Sequence, residues 1–285
     1  MTDIGGRLVG SIIGTVVCGV LLVSAARAET PLERGRYLMK SVVACGNCHT
    51  PQTPAGPNRE LELAGGFPIV EPGVFTAYAS NITPDIETGI GGWSDAEIIR
   101  AIRDGVRPDG SIIGPPMPIE VYRGLSDADA RAIVAYLRSI PAIKRETPPS
   151  EYSFPLPPSY GPPVGVVPEV ARDDAVAWGG YLAGPLGHCT ACHSTPGAKG
   201  VPDLENELGG GGATFHGPWG ESVAANITPT GLGDWSDAQI ITAVTQGVRP
   251  DGRRLKPPMA FAYYRTIAPG DLRAIVAYLR SLPEK

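Results

Sequence analysis

The sequence has no block of basic residues. Across 285 residues the formal net charge is −5, and binding a phosphate backbone needs a basic footprint, so nucleic acid is excluded as a partner. There is no long alternation of apolar and polar residues, the pattern that marks a half-buried strand. Cysteine is scarce, at five residues, and Cys18 falls in the first apolar run. After residue 28 only Cys45, Cys48, Cys189 and Cys192 remain, and each belongs to a C-x-x-C-H. No thiol is left over for a structural disulfide or a nucleophile. Glycine (37) and proline (30) are abundant, so much of the backbone is expected in turns and loops.

The one long apolar run is at the start. Arg7 gives a positive beginning, Leu8 to Val23 carries no charge, and Ala26-Arg27-Ala28 is a small-x-small ending. This is the layout of a secretory signal peptide over residues 1–28, cleaved after Ala28. The run is a little long for a cleaved signal and short for a membrane span, so a retained anchor is the alternative. Cys18 follows Val17 rather than a small residue and reads as a hydrophobe of the signal, not a lipid-attachment site. Export places the chain in the periplasm, free or held at the inner membrane.

The remainder is written twice. "NITPDIETGIGGWSDAEIIRAIRDGVRPDG" begins at Asn81 and "NITPTGLGDWSDAQIITAVTQGVRPDG" at Asn226; "RAIVAYLRSIP" begins at Arg131 and "RAIVAYLRSLP" at Arg273. Each unit is of domain size, which implies duplication rather than a solenoid. The expected domains are 29–141 and 172–285. Residues 142–171 between them are dense in proline, which rules out helix and central strand. They read as a semi-rigid linker, or as a segment lying flat on a domain with Tyr152, Phe154 and Tyr160 as anchors. Ser94 with Glu97, and Ser236 with Gln239, read as capping boxes opening helices that stop at Gly105 and Gly247. A closing helix starts at Ser126, where Asp129 can bond back, and carries Ile133, Leu137 and Ile140 at helical spacing. The expected fold class is all-α.

C-x-x-C-H is the pattern of covalent c-type haem attachment. Two intervening residues put both sulfurs on one side of a helical turn, each able to add to a porphyrin vinyl group, and the histidine follows beneath the iron. A thioredoxin-like dithiol would need a βαβ context that is absent. A zinc site would need four ligands, and the spare histidines, His188 and His216, both lie in the second half. Disulfides would leave His49 and His193 without a reason. The reading is two covalently bound haem c groups, on Cys45, Cys48 and His49 and on Cys189, Cys192 and His193. Met117 in "GPPMP" and Met259 in "KPPMA" hold equivalent positions on proline-stiffened loops, and are the expected sixth ligands. Met39 reads as a core residue. His216 is a lesser alternative to Met259, and His188 is expected at the haem edge or in solvent. Histidine–methionine ligation raises the haem potential and fills both axial positions. That suits electron transfer and argues against a dihaem peroxidase or sulfur-compound dehydrogenase, the enzymatic alternatives.

With these motifs in place, each half resembles a class I cytochrome c domain. The resemblance implies crossing first and last helices, with Gly35 and Gly179 at the contact opposite Tyr136 and Tyr278. The longer pattern, from Asn-Ile-Thr-Pro through Trp-Ser-Asp-Ala to Pro-Pro-Met, resembles the multihaem cytochrome c subunits of bacterial membrane-associated alcohol, aldehyde and sugar dehydrogenases. Those subunits commonly carry three haem domains; this chain has two motifs. The resemblance implies a dehydrogenase as electron donor and a cytochrome or oxidase as acceptor. It also suggests that Trp93, Trp235, Arg107 and Arg249 contact haem propionates. A carbonyl in the segment after each haem histidine, at Thr50-Pro51 or Thr195-Pro196, is expected to accept the imidazole N–H. Asn81 and Asn226 match N-x-T but read as loop residues, not glycosylation sites.

Overall fold

The computed structural model describes residues 1–2, 28–53, 56–197 and 201–285. The apolar run that carries the signal-or-anchor reading, with Cys18, lies outside the described residues. Among the described residues no helix is long and apolar enough to cross a membrane.

In the first half, α1 (Pro31–Lys40) is followed by the single turn α2 (Gly46–His49), α3 (Asp95–Asp104), the short α4 (Ile119–Tyr122) and the closing α5 (Asp127–Ser139). The second half repeats the order. It runs α6 (Ala175–Tyr181), extended by a π-helical turn at Leu182–Leu186, then α7 (Cys189–His193), α8 (Pro229–Leu232), α9 (Asp237–Gln246), α10 (Phe261–Tyr264) and α11 (Pro269–Ser281). Both capping boxes form, and Gly105 and Gly247 end their helices at φ 67° and 65°, the left-handed C-terminal position that glycine occupies without a Cβ clash.

First and last helices cross closely in each half. A Cβ on Gly35 would stand 1.9 Å from the Ala132 carbonyl oxygen and 3.0 Å from Tyr136 Cβ; on Gly179 it would stand 1.9 Å from the Ala274 oxygen and 2.8 Å from Tyr278 Cβ. No side chain fits at either crossing. Leu38, Met39, Ile133 and Leu137 close the first core, and Leu182, Leu186, Ile275 and Leu279 the second.

The all-α expectation is overturned. Antiparallel hairpins stand between the haem motif and the Asn-Ile-Thr-Pro segment of each half: β3 (Pro68–Glu71) with β4 (Phe75–Tyr78), and β6 (Thr214–Gly217) with β7 (Gly220–Val223). A two-residue pair, β1 (Gln52–Thr53) with β2 (Gly56–Pro57), precedes the first. Four-residue strands give at most two alternations, too few for a period to emerge from sequence.

Of the two readings of residues 142–171, the structure shows the segment lying on a domain rather than standing free as a linker. Glu151–Tyr152 forms β5, an edge strand on β4, so the sheet order is β3-β4-β5. Tyr152 Oη donates to the Pro115 carbonyl at 2.9 Å and Tyr160 Oη to the Ile113 carbonyl at 2.8 Å. Farther on, Val164 N–H donates to Asp104 at 2.9 Å, and Asp127 N–H to the Val167 carbonyl at 2.9 Å. The segment is a strap bound along the first half. Its prolines lack donors, but its carbonyls and tyrosine hydroxyls find partners there.

The two halves meet through a reciprocal exchange. Tyr181 of α6 reaches the start of α5: its hydroxyl accepts from Ser126 N–H at 3.0 Å and donates to Asp129 Oδ2 at 2.8 Å. Tyr37 of α1 reaches the start of α11, accepting from Ala268 N–H at 3.1 Å and donating to Asp271 Oδ2 at 2.6 Å. Asp129 N–H donates to Ser126 Oγ at 3.1 Å, but the Asp129 carboxylate does not reach back to the Ser126 N–H, which Tyr181 takes. The Asp129 carboxylate also holds Arg34 in a two-pronged pair at 2.7 and 3.1 Å.

Candidate functional site

Each C-x-x-C-H occupies one helical turn, opened by a residue with positive φ: Ala44 at 50° and His188 at 44°. That left-handed entry turns the chain so that α2 and α7 start abruptly at Cys45 and Cys189. All four cysteines are free and half-buried. Burial pushes their thiols up, to about 12 for Cys45 and Cys192 and about 11 for Cys48 and Cys189.

His49 Nδ1 lies 2.7 Å from the Ser80 carbonyl, and His193 Nδ1 lies 2.7 Å from the Ala225 carbonyl. The acceptors thus come from just before Asn81 and Asn226, not from the residues that follow each histidine. A carbonyl at Nδ1 fixes the proton there and leaves Nε2 as a lone-pair donor. Burial lowers both imidazole pKa values, which favours the neutral, ligating form. The asparagines shape the acceptor loops: Asn81 Oδ1 accepts from Thr83 N–H at 2.9 Å, and Asn226 Oδ1 from Thr228 N–H at 2.9 Å. Their amides tie the loops to Ile143 and Lys285 carbonyls, at 2.8 Å each, a structural role as expected.

Met117 and Met259 are half-buried against the core, each after a cis Pro-Pro bond. Met39 is buried at 2% exposure on α1. His216 sits on the exposed hairpin, with Nδ1 3.2 Å from Glu71 and Nε2 3.8 Å from Glu221. Both its nitrogens face carboxylates, which removes the case for it as a ligand. His188 is at the junction of the halves, its ring edge-on to Tyr122 at 5.9 Å and hydrogen-bonded to the Val43 backbone. Among the described residues no group of three or more His, Cys, Asp or Glu could hold a metal ion.

The surroundings fit a porphyrin with acidic side groups. Arg249 stacks 5.1 Å over Trp235; its buried Nε makes no hydrogen bond, though it lies 3.6 Å from Asp251 Oδ2, and Trp219 Nε1 on the second hairpin is likewise buried without a hydrogen bond. Buried donors of this kind call for an acceptor, a part that a propionate would fill. Arg107 instead donates to the Ile112 carbonyl at 3.1 Å. Sequence reasoning missed Arg138 and Arg280. They grip the carbonyls of Trp93 and Trp235, with Ile90 at 3.2 Å and Leu232 at 2.9 Å, and so lock each tryptophan loop to its closing helix. Their signal was the twice-written Tyr-Leu-Arg-Ser.

The two sites adjoin. Asn47 Nδ2 donates to the Pro258 carbonyl at 3.0 Å, and a Cβ on Gly46 would lie 2.2 Å from Tyr263 Oη. The first attachment helix thus packs on the methionine loop of the other half. Tyr122 and Tyr264 are both buried, at 4% and 6% exposure, within the fields of cysteines from both motifs.

Comparison with known proteins agrees. The family described as "Cytochrome C oxidase, cbb3-type, subunit III" matches residues 30–137, and the cytochrome c family matches residues 186–283. A "Diheme cytochrome c-type" protein of Cereibacter sphaeroides is 32% identical, over 84% of this chain and 82% of its own. The chain belongs to the dihaem c-type cytochromes. It carries two covalently bound haem c groups, one per cysteine pair. The cytochrome c subunit of a quinone alcohol dehydrogenase from Gluconobacter oxydans is 33% identical over 90% of this chain and 55% of its own. The fructose dehydrogenase cytochrome subunit of Gluconobacter japonicus is 30% identical over 91% of this chain and 54% of its own. This cytochrome spans about half the length of those subunits.

Proposed function

We propose that this cytochrome takes single electrons from a dehydrogenase at the outer face of the inner membrane and passes them toward a respiratory chain. His49 and Met117 hold one iron, and His193 and Met259 the other; Cys45, Cys48, Cys189 and Cys192 form the thioethers. Haem c supplies a one-electron iron couple. The protein's part is to hold the imidazole protons on Nδ1, to present thioethers on stiff loops, and to exclude water. The observation that carries the reading is the matched pair of sites: the same carbonyl at Nδ1 and the same Pro-Pro-Met loop in both halves. Two equivalent closed sites suit a relay, whereas a peroxidase needs one open iron. Names of relatives point to a dehydrogenase as donor.

Carbon monoxide added to the reduced protein at neutral pH is expected to leave the spectrum unchanged, since both axial positions are filled. A strong shift would sink the carrier reading. Affinity purification from the native membrane is expected to bring down a large catalytic subunit, and a solitary monomer would count against the dehydrogenase donor.

A further inference from the structure

The loops that deliver the two methionines differ in cover and charge. In the first half, residues 109–117 read Asp-Gly-Ser-Ile-Ile-Gly-Pro-Pro-Met; in the second, residues 251–259 read Asp-Gly-Arg-Arg-Leu-Lys-Pro-Pro-Met. Gly114 corresponds to Lys256. Gly114 is buried because Tyr152 of the strap lies on it: a Cβ there would stand 2.5 Å from the Tyr152 ring and 2.8 Å from Leu156. Arg253, Arg254, Lys256 and Pro257 are all exposed. Lys256 Nζ donates to a backbone carbonyl, that of Glu221, at 3.0 Å. Asp251 pairs with Arg253 at 2.7 Å and Arg249 at 3.6 Å. Arg249 and Arg253 thus share Asp251, while Arg254 and Lys256 add two further exposed cations to the loop, on a protein whose net charge is −5. Around the first loop the balance reverses, with Arg107 against Asp109, Glu120 and Glu151.

We propose that the basic loop before Met259 is a docking surface for an acidic redox protein, and that the strap closes the equivalent loop of the first half, so that exchange with this partner runs through the second haem site. Complementary charge of this kind raises association rates more than it raises affinity. The proposal rests on the electron-carrier reading.

The test is stopped-flow reduction of the holoprotein by a reduced acidic [2Fe–2S] ferredoxin. One electron leaves the cluster and one ferric haem becomes ferrous, with no bond made or broken. The triple variant Arg253→Glu, Arg254→Glu, Lys256→Glu should be slowed about tenfold at low salt, with the gap closing at high salt. A control of equal charge, Arg36→Glu, Arg100→Glu, Arg131→Glu, reverses exposed residues of the first half and should stay within about twofold of the parent. Equal rates for all three proteins, or equal losses in both variants, would overturn the docking surface. Loss of binding to phosphatidylglycerol vesicles in the first variant, with its ferredoxin rate kept, would overturn it in favour of a membrane contact. Should neither ferredoxin nor cationic hexaammineruthenium(II) reduce the parent, the carrier reading itself fails, an outcome separate from the others.

Discussion

The two halves share a plan and differ in what surrounds it. In the first, the helix-start aspartate Asp129 serves both Arg34 and Tyr181 in a buried cluster, and a strap covers the methionine loop. In the second, the matching Asp271 serves Trp178 Nε1 at 2.8 Å and Tyr37, with no ion pair, and the methionine loop is bare and basic. Duplication kept the cysteine pair that holds the cofactor, and with it the Nδ1 carbonyl, the proline loop and the glycine crossing. It let the outer faces diverge. The cofactor sites need identical chemistry, while the faces meet different neighbours.

The sharpest way to break the comparison is to remove one site. Cys45→Ala with Cys48→Ala should lower the pyridine haemochrome count from two groups per chain to one, with the second haem retained. Loss of both would mean that the halves do not hold their cofactors independently. Next in size is the aspartate pair. Asp129→Ala leaves Arg34 buried and unpaired and should cost about 3–5 kcal/mol. Asp271→Ala removes only neutral hydrogen-bond donors' acceptor and should cost about 1–3 kcal/mol. Denaturant midpoints of the two variants decide it, and equal shifts would show that the ion pair adds nothing to the asymmetry.

A third difference depends on pH. His188 occupies the position that Ala44 holds in the first half, and burial lowers its pKa from 6.5 to about 4. The unfolded chain therefore takes up a proton near pH 6.5 that the folded chain refuses until about pH 4. Stability from this residue is complete above pH 6.5 and falls as pH drops toward 4, by on the order of 3 kcal/mol at most. His188→Ala should flatten that part of the stability–pH curve, since alanine already adopts the same left-handed backbone at Ala44. An unchanged slope in the variant would place the acid sensitivity elsewhere.

The haem-attachment motifs were legible because their chemistry is local: C-x-x-C-H sits on one turn. Helix starts were legible for the same reason, as at Ser94 and Ser236. What sequence hid was long-range. The acceptor for His49 is 31 residues away, and no spacing rule links them. Tyr181, 52 residues downstream of Asp129, takes the Ser126 N–H that the Asp129 carboxylate would otherwise accept. The hairpins were too short to show a period, and the strap's prolines fitted a free spacer as well as the flat-lying segment that Tyr152 and Tyr160 anchor.

The strap offers the finest test of the comparison, because one position separates the loops. At Gly114 the Tyr152 ring leaves no room for a Cβ, so Gly114→Lys must push the strap aside, at about 1–3 kcal/mol for overpacking. Lifting it would expose residues 142–171 to limited proteolysis and bring the first methionine loop nearer in cover and charge to the second. The reverse change, Lys256→Gly, removes an exposed side chain that touches one carbonyl, and should stay within about 0.5–1 kcal/mol, the modest backbone cost of glycine included. If Gly114→Lys resists proteolysis as well as the parent does, the strap is held by its other bonds, at Asp104 and Asp127, and Tyr152 is a bystander rather than its clasp.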